Sequence, residues 1–278
     1  MIRPRKPMKT QPRIFLRLAA VGLLIASFTF TQAQSELVFQ DNFNLGVYTT
    51  DINEGLATRQ SGSAGVVSYL ESDVTGSEGG LPEFTEVFEG RLWIWVNDNG
   101  QAQSSTWVSP NRNFVDGPTF TLEFKLDPSV LDEGRASDDW AAIVFGATAT
   151  GQFVNASDGM GLLFRSNGAI QFFDGGTAVY SSEPATIPAG EVQVRIEVTG
   201  EGFTGTTPAT VALLVNGNPV SLTSENATYT RATGFRANYL TLLGYAAPGN
   251  EWQYTFDDLT VRARSEEHTS ELQSRQVI

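Results

Sequence analysis

Trp140-Ala-Ala-Ile-Val-Phe145-Gly, a loop, Gly159-Met-Gly-Leu-Leu-Phe164-Arg165, Ser-Asn167-Gly168, Ala169-Ile-Gln-Phe-Phe173, Asp174-Gly175-Gly176 and Thr177-Ala-Val-Tyr180 form the stretch whose reading decides the fold. Short runs of branched and aromatic residues are broken here by Asn-Gly and Asp-Gly, the strongest local hairpin signal. Asn167-Gly168 is expected to supply two positive-φ positions of a tight turn. The stretch therefore predicts an antiparallel meander of at least four strands.

Working outward, the same pattern recurs. Phe120, Leu122, Phe124 and Leu126 share one face of a predicted strand, with Thr119, Thr121, Glu123 and Lys125 opposite. Leu37 to Phe43, Val66 to Leu70, Arg91 to Asn97, Thr106 to Val108, Val192 to Val198, Ala209 to Val215, Tyr239 to Gly244 and Trp252 to Val261 complete the strand set, with Asn216-Gly217 as another hairpin turn. Residues 44–63 read as loop, and no amphipathic helix is evident beyond the N-terminal segment. About a dozen short strands with Gly-rich turns predict an all-β sandwich or barrel.

Two ends stand apart. Arg3, Arg5, Lys6, Lys9, Arg13 and Arg17 precede an apolar run from Leu18 to Phe30, then Thr31-Gln32-Ala33. This pattern predicts a secretory signal over residues 1–33, cleaved after Ala33. The run is shorter than the roughly 20 apolar residues of a membrane span. The expected location is therefore secreted or cell-surface, with no membrane insertion after cleavage. No Cys follows the run, which excludes a lipoprotein anchor. Arg264-Ser-Glu-Glu-His-Thr-Ser-Glu-Leu-Gln-Ser274 resembles the in-frame translation of a sequencing-library adapter. Residues 264–278 are accordingly expected to be a non-native tail, with further natural sequence beyond Ala263.

Residues 34–263 contain 28 Asp and Glu against 10 Lys and Arg, a net charge of −18. Such a surface repels nucleic acid and anionic lipid. The chain has no Cys, and its one His is His268, in the tail. Ser-His-Asp and Cys-His catalysis, and zinc sites of the usual ligands, are thereby excluded from the domain.

Phe39-Gln-Asp41-Asn-Phe43 opens the domain and Phe256-Asp257-Asp258-Leu-Thr-Val261 closes it, with Phe120-Thr-Leu-Glu-Phe124, Val194-Arg-Ile-Glu-Val198 and Leu213-Leu-Val-Asn-Gly217 between. Their order resembles the concanavalin A-like lectin/glucanase superfamily, in particular the laminin-G-like jelly rolls of secreted bacterial proteins. The resemblance covers nearly all of 37–261. It implies a two-sheet antiparallel jelly-roll sandwich over residues 34–263, with first and last strands adjacent. It also implies a cation where those strands meet, at Asp41 and Asp257, so a structural Ca2+ is the one cofactor to test. Asp138-Asp139 is a rival pair.

Glycan hydrolysis needs two carboxylates about 5–10 Å apart. The superfamily's laminarinase-type enzymes alternate Glu, Asp and Glu along one strand. Glu71-Ser-Asp73 begins that pattern, but the second Glu is missing; Glu123 and Asp127 share a strand face without a third acid. Glycan binding fits better, since sugar C–H faces stack on Trp and Tyr while amides, acids and Arg bond the hydroxyls. Trp93 and Trp95 share a face, followed by Asn97 and Asp98; Tyr180, beside Ser181 and Ser182, is expected to be exposed. Arg165, near Asp158 and Asp174, is a further ligand-binding candidate or half of a surface ion pair. Trp107 and Trp252 are further stacking candidates. Core packing is the competing reading of Trp93 and Trp95. The sequence thus points to a secreted module that binds polysaccharide or glycan and does not catalyse. A structural or adhesive module that contacts proteins, and a hydrolase with unrecognised carboxylates, are the alternatives.

Overall fold

The computed structural model describes residues 35–72, 84–97, 104–114, 119–128, 138–146, 159–200, 208–231, 239–247 and 251–264. The expected signal segment and all of the expected tail beyond Arg264 lie outside these residues. In chain order the elements are β1 (Ser35–Asp41), α1 (Leu56–Arg59), β2 (Gln60–Ser61), β3 (Tyr69–Glu71), β4 (Phe84–Phe88), β5 (Arg91–Asn97), β6 (Ser104–Pro110), β7 (Thr119–Asp127) and β8 (Trp140–Gly146). They continue as β9 (Met160–Arg165), β10 (Ile170–Asp174), β11 (Thr177–Ser181), β12 (Val192–Gly200), β13 (Ala209–Val215), β14 (Asn218–Val220), β15 (Thr228–Arg231), β16 (Tyr239–Ala246) and β17 (Glu251–Arg264).

These strands make two antiparallel sheets. The first runs β14-β13-β12-β7-β17-β1-β2, with β15 on β13, β5 on β17 and β4 on β5. The second runs β11-β10-β9-β8-β16-β6-β3. The expected meander from β8 to β11 is present, each strand paired with the next. First and last strands are adjacent, β1 pairing with β17 from Ser35↔Arg264 to Asp41↔Leu259.

The core lies between the sheets. Phe120, Leu122, Phe124 and Leu126 all point inward from β7, as their alternation predicts. Phe124 packs on Phe164 of the opposite sheet, ring centroids 6.3 Å apart. Removing each such side chain from water contributes roughly 1.5–3 kcal/mol. On β16, Gly244 faces Tyr254 and Ile94; a Cβ there would come within 2.7 Å of the Tyr254 ring, so the strand needs a residue without one.

Turn chemistry holds in outline and differs in one detail. Asn216-Gly217 has both central residues at positive φ, 50° and 77°, the mirror-type hairpin turn. Asn167 does not: only Gly168 (φ 83°) is left-handed there. Gly168 N–H donates to Arg165 O, and Arg165 N–H donates to Ala169 O, so the connection is a longer turn ending in a left-handed glycine. The Asn167 side chain accepts from the Ala169 N–H instead.

The presumed loop 44–63 is also more ordered than its composition implies. It contains the single turn α1 and the two-residue β2, which pairs with Gln40 and Asp41. Four helical residues show no readable periodicity, which hides such a turn from the sequence.

Candidate functional site

Leu92, Ile94 and Val96 of β5 are fully buried, so Trp93 and Trp95 must point to the outer face of the first sheet. Both are half-buried there and stack on each other, centroids 6.3 Å apart and planes 25° apart. They are therefore not part of the core between the sheets.

Two residues extend this pair. Phe88, at the end of β4, lies 6.4 Å from Trp93. Tyr48 lies 5.9 Å from Phe88, edge to face. Tyr48 is placed by its neighbour: Thr49 and Val87 exchange both backbone hydrogen bonds, which ties the loop to the free edge of β4. The result is a continuous aromatic ladder, Tyr48–Phe88–Trp93–Trp95. Its outer end is open, with Val47 60%, Tyr48 56% and Phe88 39% exposed.

Glu86 underlies the ladder. Its side chain, 5% exposed, accepts a 3.0 Å hydrogen bond from Trp95 Nε1–H. It also faces the Tyr48 phenol, whose pKa is raised by desolvation first, then by the hydrogen bond and charge of Glu86. Trp93 Nε1–H donates to Phe88 O. Both indole donors are thus satisfied, which fixes the ring planes. Across the sheet, Trp93 pairs with Thr255 and Trp95 with Gln253, and Thr255 pairs in turn with Asp127.

The other predicted binding residues do not all join this face. Asn97 ends β5 opposite Glu251, while Asp98 lies outside the described residues. Arg165 and Tyr180 belong to the second sheet. Arg165 Nη2 donates to Gln171, and Gln171 donates to Ser181. Burial lowers the Arg165 pKa, with Asp138 opposing that shift. Asp174 does not pair with Arg165; it takes Arg231 at 2.9 Å and the Tyr229 hydroxyl at 2.7 Å, bridging the two sheets. Tyr180 sits opposite Phe172 and packs against the central core, half-buried rather than exposed. Trp252 is buried, its Nε1–H donating to Pro128 O.

The second sheet carries aromatics on its own outer face. Trp140 and Tyr245 are cross-strand partners stacked at 4.8 Å and 9°. Trp107, Trp140 and Phe173 pack on a small cluster of Ala142, Val144, Leu163 and Leu243, none more than 2% exposed.

The acidic candidates are largely engaged within the chain. Glu71 accepts from Thr85 Oγ1, and Asp73 lies outside the described residues. Glu123 pairs with Arg195 at 3.2 Å. Glu123 and Asp127 share a face of β7, but four residues along a strand span about 13 Å, beyond the separation of a hydrolytic pair.

Asp41 and Asp257 do not converge. Asp41 is fully buried: its oxygens accept from Arg59 Nε at 3.1 Å, Gln60 Nε2 at 2.9 Å, the Tyr69 hydroxyl at 2.8 Å and the Phe43 N–H at 2.9 Å. Asp257 faces outward and pairs with Lys125 at 3.2 Å. Calcium requires six to eight oxygen ligands, whereas Asp41 already holds a guanidinium. Among the described residues, no three His, Cys, Asp or Glu side chains gather to hold a metal. These residues do not fit a calcium ion.

Tyr48, Phe88 and Glu86 were missed by sequence reasoning. Phe84, Glu86 and Phe88 alternate, which was the available signal for β4; Tyr48 lay in apparent loop.

No protein-family model and no curated protein sequence matches the chain. Among solved structures, one from work on endo-acting O-glycanases expressed by human gut microbiota to initiate mucin breakdown is similar at 11% identity. That match covers 82% of this chain and all of that one, with a TM-score of 0.51. Peanut lectin with a 9mer peptide is similar at 9% identity, over 78% of this chain and 96% of its own, TM-score 0.46. The Emp47p carbohydrate recognition domain matches at 12% identity, over 79% and 97%, TM-score 0.42. At such identities the likeness is one of fold. With its two antiparallel sheets and adjacent terminal strands, the chain folds as a concanavalin A-like jelly roll.

Proposed function

We propose that this is an exported, non-catalytic glycan-binding module that holds its ligand on the Tyr48–Phe88–Trp93–Trp95 ladder. The fold hosts binding and hydrolytic modules alike, so the choice rests on the site. One observation carries it: four aromatic rings in succession on an outer sheet face, with both indole N–H groups satisfied within the chain and the outer end exposed. The uncovered parts of these rings offer apolar surface to sugar C–H groups. The shared fold with the O-glycanase-associated structure accords with this ligand class.

Affinity electrophoresis and pull-down on a panel of insoluble and soluble polysaccharides test the reading. The wild-type chain is expected to be retarded by at least one polymer. Trp93→Ala with Trp95→Ala is expected to lose that retardation while its circular dichroism keeps the wild-type β-sheet signature, the unfolding midpoint falling because the Glu86 carboxylate loses its indole donor. A folded wild-type domain that no polysaccharide retains would overturn the proposal and favour a protein-contacting adhesive module. Sugar release abolished by Glu71→Gln or Glu123→Gln would instead restore the hydrolase alternative.

A further inference from the structure

Resting on that reading, we infer that the ladder takes several consecutive uncharged sugars of a polysaccharide chain, and neither a single sugar nor an anionic polymer. Length comes from the spacing of the rings. Successive centroids are 5.9, 6.4 and 6.3 Å apart from Tyr48 through Phe88 and Trp93 to Trp95. One pyranose covers about one ring, so a monosaccharide engages only a fraction of the ladder. The Tyr48 end projects into solvent at 56% exposure, which lets a chain continue past it.

Charge selects against acidic sugars. The carboxylate nearest the rings, Glu86, lies beneath them, and the turn that follows β4 carries exposed Glu89. Nearby cations are already paired. Arg91, the cross-strand partner of Phe88, bonds Glu191 at 2.8 Å. Lys125, further across the sheet, bonds Asp257 at 3.2 Å and Asp258 at 2.6 Å. A uronate or sulfate on the ladder would approach carboxylates with each of these cations already neutralised, a juxtaposition that disfavours binding. The chain's formal charge of −13 adds long-range repulsion. A neutral sugar, by contrast, meets no such repulsion. Glu86 is also a positioning residue, because it holds Trp95 and faces Tyr48 at opposite ends of the ladder.

The test uses polymers that share a backbone and differ in charge: hydroxyethylcellulose against carboxymethylcellulose, methyl-esterified against de-esterified homogalacturonan, and agarose against carrageenan. Oligosaccharides of the backbone that binds, graded from monosaccharide to hexasaccharide, then compete in calorimetry. The neutral member of the bound pair is expected to bind at least about tenfold tighter than its charged counterpart. Competition is expected to be absent for the monosaccharide and to strengthen with each added sugar. Tyr48→Ala removes the exposed end ring and is expected to bring the plateau one sugar earlier, with unfolding unchanged. Equal or tighter binding of the charged polymer overturns the inference, as does full competition by a monosaccharide or an unchanged length series in Tyr48→Ala. These outcomes leave glycan binding itself standing. A correctly folded chain that binds no member of any pair removes both the inference and the reading beneath it.

Discussion

Asp41 lies opposite Leu259 on β17, two residues along the strand from Asp257, yet the two carboxylates of this sheet have opposite surroundings. Asp41 is sealed inside with Arg59, both side chains at 0% exposure, and Arg59 also lies over the rings of Phe43 and Tyr69. Asp257 stays near water, 16% exposed, sharing the 39%-exposed Lys125 with Asp258. The chemistry is the same and the energetics are not. In the dry hub each partner is indispensable once the other is present, because an uncompensated buried charge is costly. On the outer face solvent stands in for whichever partner leaves.

The largest expected effect comes from Arg59→Met, which strands the Asp41 carboxylate. It should destabilise by about 3–5 kcal/mol in urea unfolding. Adding Asp41→Asn should recover much of that loss, and strictly additive single losses would break the contrast.

Tyr69→Phe removes one bond to the same carboxylate and should cost about 1.5–3 kcal/mol. It also reports on alkali. Burial first, then the charge of Asp41, raises the Tyr69 pKa well above 10.0, and burial does the same to Tyr254. Tyr229 is raised to about 12, chiefly by desolvation and then by its hydrogen bond to Asp174. The unfolded chain loses these protons first. Stability is therefore complete below pH 10.0 and falls as pH climbs from there toward the raised values. Unfolding midpoints measured across that window should drop less steeply in Tyr69→Phe than in wild type.

Lys125→Ala should cost under about 1 kcal/mol, and the effect should shrink with added salt. A loss as large as that of Arg59→Met would erase the distinction between the two regions.

The smallest expected effect is none: calcium and chelator should leave the thermal midpoint unchanged, because the guanidinium of Arg59 already balances Asp41. A rise in midpoint with calcium would show that the hub opens to admit the ion.

Legibility followed the range of the interactions. The inward face of β7 was plain because Phe120 to Leu126 alternate against polar neighbours. On β5 the shared face of Trp93 and Trp95 was readable, but Leu92, Ile94 and Val96 make the opposite face apolar too. Hydrophobicity alone could not say which face met water; the fully buried aliphatic row decides it. Tyr48 reaches the ladder only through the Thr49–Val87 bridge, a pairing between distant segments with no local signature. The Asp41–Arg59 pair spans 18 residues through a single helical turn, and again nothing local announces it. Asn167-Gly168 shows the reverse limit. The dipeptide marked the turn correctly, but the backbone bonds around Arg165 and Ala169 chose its length.

β17 shapes the order in which the molecule is assembled. One of its edges pairs with β7; the other pairs with β5 along its first half and β1 along its second, the change falling at the Asp257–Asp258 bulge. Three strands thus await the last described element: β1, β5 and β7 pair with β2, β4 and β12 on their other edges, but the edges turned to β17 stay unpaired until it is in place. Polymerisation through those edges is the hazard of that interval. The β8–β11 meander pairs without β17, but the first sheet is joined up only by β17, through contacts between the two ends of the domain, and such long-range pairing makes for slow folding.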